Sequence, residues 1–356
     1  MKGKIYRMEL VDILKKIAPG TQIRSGLDNI LKAKTGGLIV IGEGKEVEEI
    51  IDGGFNINME YSPARLYELA KMDGAIVLSE DLKKILRANV QLIPSFSIST
   101  VETGTRHRTA ERVAKQTGKV VISISQRRGV ITIYHDDIRY VLEDISRVTA
   151  KTNQALQTVE KYRNVFNNKI NVLTEYEFND IATLKLVVEV IQRSEMVMKI
   201  AEEVQKSIDE LGTEGRLLKM QLDELTDGVE NEEKLLIRDY IENRDEEKAF
   251  KKIRNLSYED LMKENLIANI LGIKNVENLD EITVYTRGYR ILNKVPRVPS
   301  NIVDNIVKKF KSLQHLLSAD IQELNKVDGI GEIRARTIVQ TLKRMQEQFL
   351  FDRMIL

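Results

Sequence analysis

Residues 119–144 read KVVISISQRRGVITIYHDDIRYVLED. The apolar runs 119–125, 129–135 and 138–144 stand at hairpin spacing, the pattern of consecutive antiparallel strands. Upstream, GGLIVIG (36–42), GAIVLS (74–79) and ILRANVQLI (85–93) predict three more buried strands. Amphipathic helices are expected over 10–17 and 23–31. SPARLYELAKM (62–72) starts like a helix, with Ser62 as cap and Pro63 at the first helical position. A further helix is expected just after 103–109, ending at Gly118. Residues 1–146 should therefore form an α/β domain, a mixed central sheet flanked by helices.

The rest of the chain has a different character. Residues 147–286 carry almost no proline or strand signal. Over 182–212, Leu184, Val187, Ile191, Met198, Ala201 and Ile208 recur at helical steps. Ser194 and Gln205 interrupt the heptad, so an all-α bundle is expected rather than a free coiled coil. From Lys206 to Glu264 there are 17 acidic and 11 basic residues, a net of −6, which should repel DNA. From Tyr285 to Met345 there are 12 Lys or Arg and 5 Asp or Glu, a net of +7. Residues 287–356 thus form a third, basic segment whose field favours a polyanion.

Composition narrows the chemistry. The 356 residues carry a net charge of +1, so any preference for nucleic acid must come from local patches. The lack of cysteine excludes disulfides, zinc–thiolate sites, iron–sulfur clusters and cysteine nucleophiles. With only His107, His135 and His315, a metal would be held by oxygen ligands with one imidazole at most, which suits Mg2+ or Mn2+. The opening MKGKIYRMELVDILKK is charged from its first turn and does not read as a signal peptide. No apolar run reaches membrane-spanning length, so a cytoplasmic protein with no membrane partner is expected.

No G-x-x-x-x-G-K-[ST] loop and no dinucleotide fingerprint is present; GEGKE (42–46) has the wrong spacing and reads as a surface turn. Two clusters remain. Thr103-Gly104-Thr105-Arg106-His107-Arg108-Thr109 concentrates donors just before a helix whose amino end would attract an anion. Read alone, it is equally a solvated basic turn. Asp73-Gly74-Ala75 stands at the mouth of a strand. Residue type alone favours a turn aspartate; the other reading is a carboxylate that holds a divalent ion or activates a sugar hydroxyl, with Gly74 admitting a nucleotide close to the backbone. Ser125 and Arg128 read as a polar hairpin turn or as phosphate contacts.

Together these residues resemble the diadenylate cyclase domain: Asp73-Gly74-Ala75 matches its DGA motif and Arg106-His107-Arg108 its RHR motif, over roughly the first 146 residues. The resemblance implies that two ATP molecules condense to cyclic di-AMP with release of two pyrophosphates. It implies two domains face to face, each 3′-hydroxyl attacking the opposite α-phosphate, within an octamer. By position, Asp73 would bind the metal with His107 near it. Arg106 and Arg108 would offset developing charge. Gly74, Ala75 and Leu92 would line the nucleoside pocket, while Thr105 to Thr109, Ser125 and Arg128 would contact phosphate.

In the tail, Lys326-Val327-Asp328-Gly329-Ile330-Gly331-Glu332, followed by Ile333-Arg334-Ala335-Arg336, resembles a helix-hairpin-helix motif. Gly329 and Gly331 would turn backbone N–H groups toward DNA phosphate without reading sequence, and Arg334 and Arg336 would add charge. Val327, Ile330, Ile338 and Leu342 are expected in the core. The half-repeat at 298–302 lacks glycines and is expected to pack rather than bind. The family resemblance adds branched DNA as a partner that lowers cyclase output, and a place at the bacterial nucleoid. The competing readings are a catalytically silent DNA-repair scaffold and a nucleotide receptor without turnover.

Overall fold

The computed structural model describes residues 10–242, 245–274 and 278–352; the charged opening at 1–9 lies outside them. The chain divides into two compact units, one drawn from Met1–Gln154 and Val204–Met220, the other from Ala155–Glu203 and Gln221–Leu356.

The first unit contains α1 (10–16), α2 (Gln22–Ala33), β1 (Gly37–Ile41), α3 (Lys45–Glu48), β2 (Ile51–Asp52), β3 (Phe55–Glu60), α4 (Pro63–Leu69), β4 (Ala75–Leu78), β5 (Lys84–Leu92), α5 (Thr105–Thr117), β6 (Val120–Ser125), β7 (Val130–His135) and β8 (Ile138–Val141). The strands form one sheet in the order β2-β5-β4-β1-β6-β7-β8, with β3 also on β5. β1 and β4 pair in parallel and the other described pairs are antiparallel, so the sheet is mixed as expected.

Both faces are covered, which is why β1 and β4 are buried along their whole length instead of alternating with polar residues. Ile39, Ile76, Ile122 and Ile133 face one apolar layer with Leu27 and Ile30 of α2 and Leu66 of α4. Their neighbours Leu38, Val40, Val77 and Val121 face the other, with Ala110, Val113 and Ala114 of α5. Each such fully buried aliphatic side chain contributes about 1.5–3 kcal/mol. Ser62 caps α4 by accepting the Arg65 N–H at 3.2 Å, with Pro63 at its first position. Gly118 ends α5 in the left-handed region (φ 64).

Two strands, β2 and β3, were not expected. β3 (FNINME) alternates apolar residues with Asn56, Asn58 and Glu60 and is mostly exposed. Its hydrogen bonds to β5, not burial, make it a strand. GEGKE is also not wholly a turn, since Lys45–Glu48 makes one helical turn.

Helices α6 (Ile145–Phe178) and α7 (Leu184–Leu211) contribute residues to both units. α8 (Arg216–Thr226) begins in the first unit. α9 (Val229–Tyr240), α10 (Glu246–Arg254), α11 (Tyr258–Leu261), α12 (Glu264–Leu271), α13 (Tyr289–Leu292), α14 (Ser300–Phe310), α15 (Leu313–Leu317), α16 (Ile321–Asn325) and α17 (Glu332–Asp352) complete the second. Val327, Ile330, Ile338 and Leu342 join Ile302, Val303 and Ile306 in its core, as expected.

That core is bordered by a buried ionic network. Arg290 is fully buried and donates to Glu177 and, at 2.9 Å, to Thr174 Oγ1. Tyr240 Oη donates to Glu177 Oε1 at 2.7 Å. Asp239 accepts the backbone N–H groups of Tyr289 and Arg290 at 2.7 and 3.0 Å. Burial, and then the charge of Glu177, raise the Asp239 pKa to about 7 despite those donors. An acid with a higher pKa in the folded state stabilises the fold below its unfolded pKa, and that contribution is lost as pH rises through the folded one. We therefore expect thermal unfolding of the second unit to shift to lower temperature between about pH 4 and pH 7. Asp239→Asn should flatten that slope, as read by calorimetry across the same range.

Candidate nucleotide site

The site is built at one end of the sheet. Because β1 and β4 run in parallel, with Ile39 opposite Ile76, their amino ends open on the same side. β6 runs the other way, with Gly37 opposite Ile124, so its carboxyl end at Ser125 arrives there too. β5 is antiparallel to β4, with Ala75 opposite Val90, which adds Leu92. Asp73, Gly74, Ser125 and the start of β1 thus meet at one mouth, although they lie far apart in the sequence.

Two glycines keep that mouth open. Gly36 (φ +75) lies under the Arg106 guanidinium, and a Cβ there would stand 2.5 Å from Nη1 and 3.2 Å from Ile124 O. Arg106 Nη1 donates to that carbonyl at 3.4 Å. Gly74 (φ +91) would bring a Cβ within 2.9 Å of the Asn89 carbonyl carbon and Val90 O, at a bulge where Asn89 itself has φ 53. At Gly74 the conformation and the close backbone approach exclude a side chain; at Gly36 a side chain would be strained and would push the Arg106 guanidinium aside.

Asp73 is exposed at this mouth, and among the described residues its carboxylate makes no hydrogen bond or ion pair. α5 begins at Thr105 behind Gly104, with no side chain capping it. Its first N–H groups therefore point out of the helix unpaired, beside the half-buried Arg106 and the exposed Arg108. Thr105 is exposed and Thr109 half-buried on the same turn. Ser125 Oγ accepts the Arg128 N–H at 3.1 Å, closing the β6–β7 turn that holds the exposed Arg128. This is a polyanion-binding arrangement: an uncapped helix start, several guanidiniums and one free carboxylate.

Ala75 and Leu92 are buried in the apolar layer that also holds Ala110, Val113 and Ala114 of α5. One expected residue is placed differently from the sequence reading. His107 is not an outward donor. It is buried, and its Nδ1 lies 3.0 Å from Tyr134 Oη. Tyr134 Oη donates to Glu102 Oε1 at 2.8 Å, and Arg139 Nε donates to the same oxygen at 2.5 Å. With its proton committed to Glu102, Tyr134 can only accept from His107. The imidazole is therefore the Nδ1–H tautomer, and the Nε2 lone pair is left buried and without a partner.

Sequence reading missed Glu102, Tyr134 and Arg139. Nothing in their spacing marks them, because strand register brings Tyr134 opposite Arg139 and the fold brings Glu102 to both.

Electrostatics agree with this assignment. Burial, and then the positive charges of Arg128, Arg139 and Arg106, hold His107 below the ordinary imidazole range, against the pull of Glu102. Burial pushes the Glu102 carboxyl up, but the hydrogen bonds from Arg139 and Tyr134 outweigh it and keep the group ionised. Burial and the bond to Glu102 raise the Tyr134 phenol. No cluster of three or more His, Asp or Glu with metal-ligand geometry occurs among the described residues. At the mouth itself, the unpaired Asp73 carboxylate is an oxygen donor of the kind a hard divalent ion takes.

This relay makes a testable statement. Nitrogen-15 NMR should find His107 neutral at pH 7, with the proton on Nδ1. Tyr134→Phe removes the acceptor and should shift the tautomer balance toward Nε2–H, with the fold retained. An unchanged tautomer would rule out the relay.

In the tail, α16 and α17 flank a turn at 326–331 in which Gly329 takes φ +82 with Ile302 close behind, while Gly331 faces open space. Arg334 folds back and donates to Gly329 O, and Arg336 pairs with Glu332 at 3.0 Å. The earlier turn at 293–299, between α13 and α14, has a similar backbone form. Arg297 occupies the left-handed region (φ 62) in the place that Gly329 fills in the second turn, and both Pro296 and Arg297 are exposed.

Comparison with known proteins gives three family matches. The DisA bacterial checkpoint controller nucleotide-binding region matches residues 24–138, the DisA bacterial checkpoint controller linker region matches 142–279, and a helix-hairpin-helix motif matches 295–350. The DNA integrity scanning protein DisA of Clostridium botulinum (strain Eklund 17B / Type B) is 55% identical over 349 residues, covering 98% of each chain. That of Clostridium perfringens (strain 13 / Type A) is 55% identical over 350 residues, 98% of this chain and 99% of the relative. That of Clostridium tetani (strain Massachusetts / E88) is 53% identical over 348 residues, 98% of this chain and 96% of the relative. With likeness of this degree from end to end, the chain belongs to the DisA family of bacterial checkpoint controllers.

Proposed function

We infer that this chain is a diadenylate cyclase, joining two ATP molecules into cyclic di-AMP with release of two pyrophosphates, and that its tail binds DNA. The observation that carries the reading is the uncapped start of α5, with Arg106 and Arg108 beside it, opening on the mouth that also holds Asp73. One mouth binds one ATP, so two copies must meet face to face, and the octamer implied by the family resemblance supplies that meeting. Cyclase function is assigned to residues 1–146, a helical spine to 147–286 and DNA binding to 287–356.

In the reaction, a bond forms between each 3′-oxygen and the α-phosphorus of the opposite ATP, and the α–β phosphoanhydride breaks. The 3′-hydroxyl proton leaves toward Asp73 and solvent. Helix N–H groups, Arg106, Arg108 and Arg128 hold the triphosphate and take up the charge that builds on the departing pyrophosphate. Thr105, Thr109 and Ser125 orient it, and the backbone at Gly74 lies against the nucleoside. A divalent ion, magnesium or manganese, would be held by Asp73 and His107 Nε2 and would supply Lewis acidity and charge neutralisation. The Glu102–Tyr134 relay keeps that nitrogen's lone pair available.

Incubating the chain with ATP and a divalent ion should yield cyclic di-AMP by mass. Asp73→Asn should reduce turnover by about 10²–10⁴-fold while ATP still binds. Near-normal turnover would remove Asp73 from the chemistry, and ATP binding without product in the unaltered chain would favour a receptor.

For the tail, backbone amides at Gly329 and Gly331 contact phosphate, with Arg334 and Arg336 adding charge, so binding is independent of sequence and directed to branched DNA. DNA lowers cyclase output and draws the chain to the nucleoid of the cytoplasm; no described helix is long and apolar enough to cross a membrane. Affinity should fall steeply between 50 and 200 mM salt, by roughly 10³-fold if about six phosphates are contacted. Gly329→Val, strained at φ +82, should abolish it in a gel-shift or anisotropy assay.

A further inference from the structure

The two turns of the tail share one open groove, lined by Pro296 and Arg297 from the first and by Gly331, Glu332, Ile333, Arg334 and Thr337 from the second, with the Glu332 carboxylate paired to Arg336. The turns are equivalent along the backbone: Val295 and Val327 are both buried, Arg297 and Gly329 both take left-handed φ, and a helix starts three residues later in each. The side chains are not equivalent. In the first helix turn the position after the helix start is Asn301, polar and exposed. In the second it is Ile333, which is 86% exposed. An isoleucine so exposed contributes nothing to the core, and it stands in a basic segment where a phosphate contact would call for a polar group.

We propose that this groove takes up an unpaired nucleobase of bound DNA, stacked on Ile333 and Pro296 and covered by the Arg297 guanidinium. The inference rests on the DNA-binding reading of the tail and names what makes branched DNA distinct. The turn amides meet phosphates, which every duplex offers alike. A base free of its partner offers an apolar face as well, and branch points and gaps present such bases. Arg297 suits the role: it is exposed, and among the described residues its guanidinium makes no hydrogen bond or ion pair. A planar cation on one side of a base and aliphatic carbons on the other form a sequence-tolerant clamp, because every base has a π-face.

The test uses the full chain and three DNAs of equal length: a linear duplex, the same duplex with one unpaired 2-aminopurine, and a copy with an abasic site in its place. The unaltered chain should prefer the unpaired base over the other two by about tenfold and change its fluorescence on binding. Ile333→Ser should erase that preference and the fluorescence change, with linear-duplex affinity kept within about twofold; Ile333→Phe should restore both. Equal binding of the abasic and unpaired-base DNAs by the unaltered chain would overturn the proposal, as would an Ile333→Ser preference that persists or a loss shared by all three DNAs. Failure of the unaltered chain to bind any of the three would instead refute the DNA-binding reading itself.

Discussion

Everything at the candidate site depends on two glycines that other groups approach closely. At Gly36 the Arg106 guanidinium lies where a Cβ would be, and at Gly74 the β5 bulge does. These close approaches let the start of α5 settle onto the end of the sheet while Asp73 stays free at the strand mouth. Any larger residue at Gly36 would displace Arg106 or lift the helix, and the anion site would lose a guanidinium or its helix amides. The catalytic reading is thus a consequence of backbone packing before it concerns any one charged group.

The second determinant is the relay Glu102–Tyr134–His107. It explains why a histidine between the half-buried Arg106 and the exposed Arg108 is itself buried and held toward its neutral form. One hydrogen bond fixes the tautomer, and burial with the surrounding positive charge discourages protonation. The cost of an unsatisfied buried nitrogen is about 1–3 kcal/mol. Such a group is accounted for if a ligand fills the position during function.

Much of this was legible in the sequence. Continuous apolar runs betrayed the strands buried on both faces, and Ser62-Pro63 and Gly118 marked helix ends through capping chemistry that acts locally. The DGA and RHR motifs marked the mouth. What stayed hidden depends on register and long-range contact. β3 has no continuous apolar run because it lies on an edge, and its short alternation is easily passed over. The burial of Ala75 and Leu92 depends on the helix packed over them, which their own spacing does not reveal. Glu102, Tyr134 and Arg139 are ordinary residues until the sheet brings them together. In the tail, the first turn has no glycine to mark its form, yet Arg297 adopts the conformation that glycine would have supplied.

The central claim is that the end of the sheet bearing Asp73 and the start of α5 receives the triphosphate. Hydrogen exchange of the full chain, with and without a non-hydrolysable ATP analogue and a divalent ion, tests it directly. The account expects slowed exchange at residues 73–75, 104–109 and 125–129. Protection confined to other parts of the chain, with those three segments exchanging as before, would contradict it.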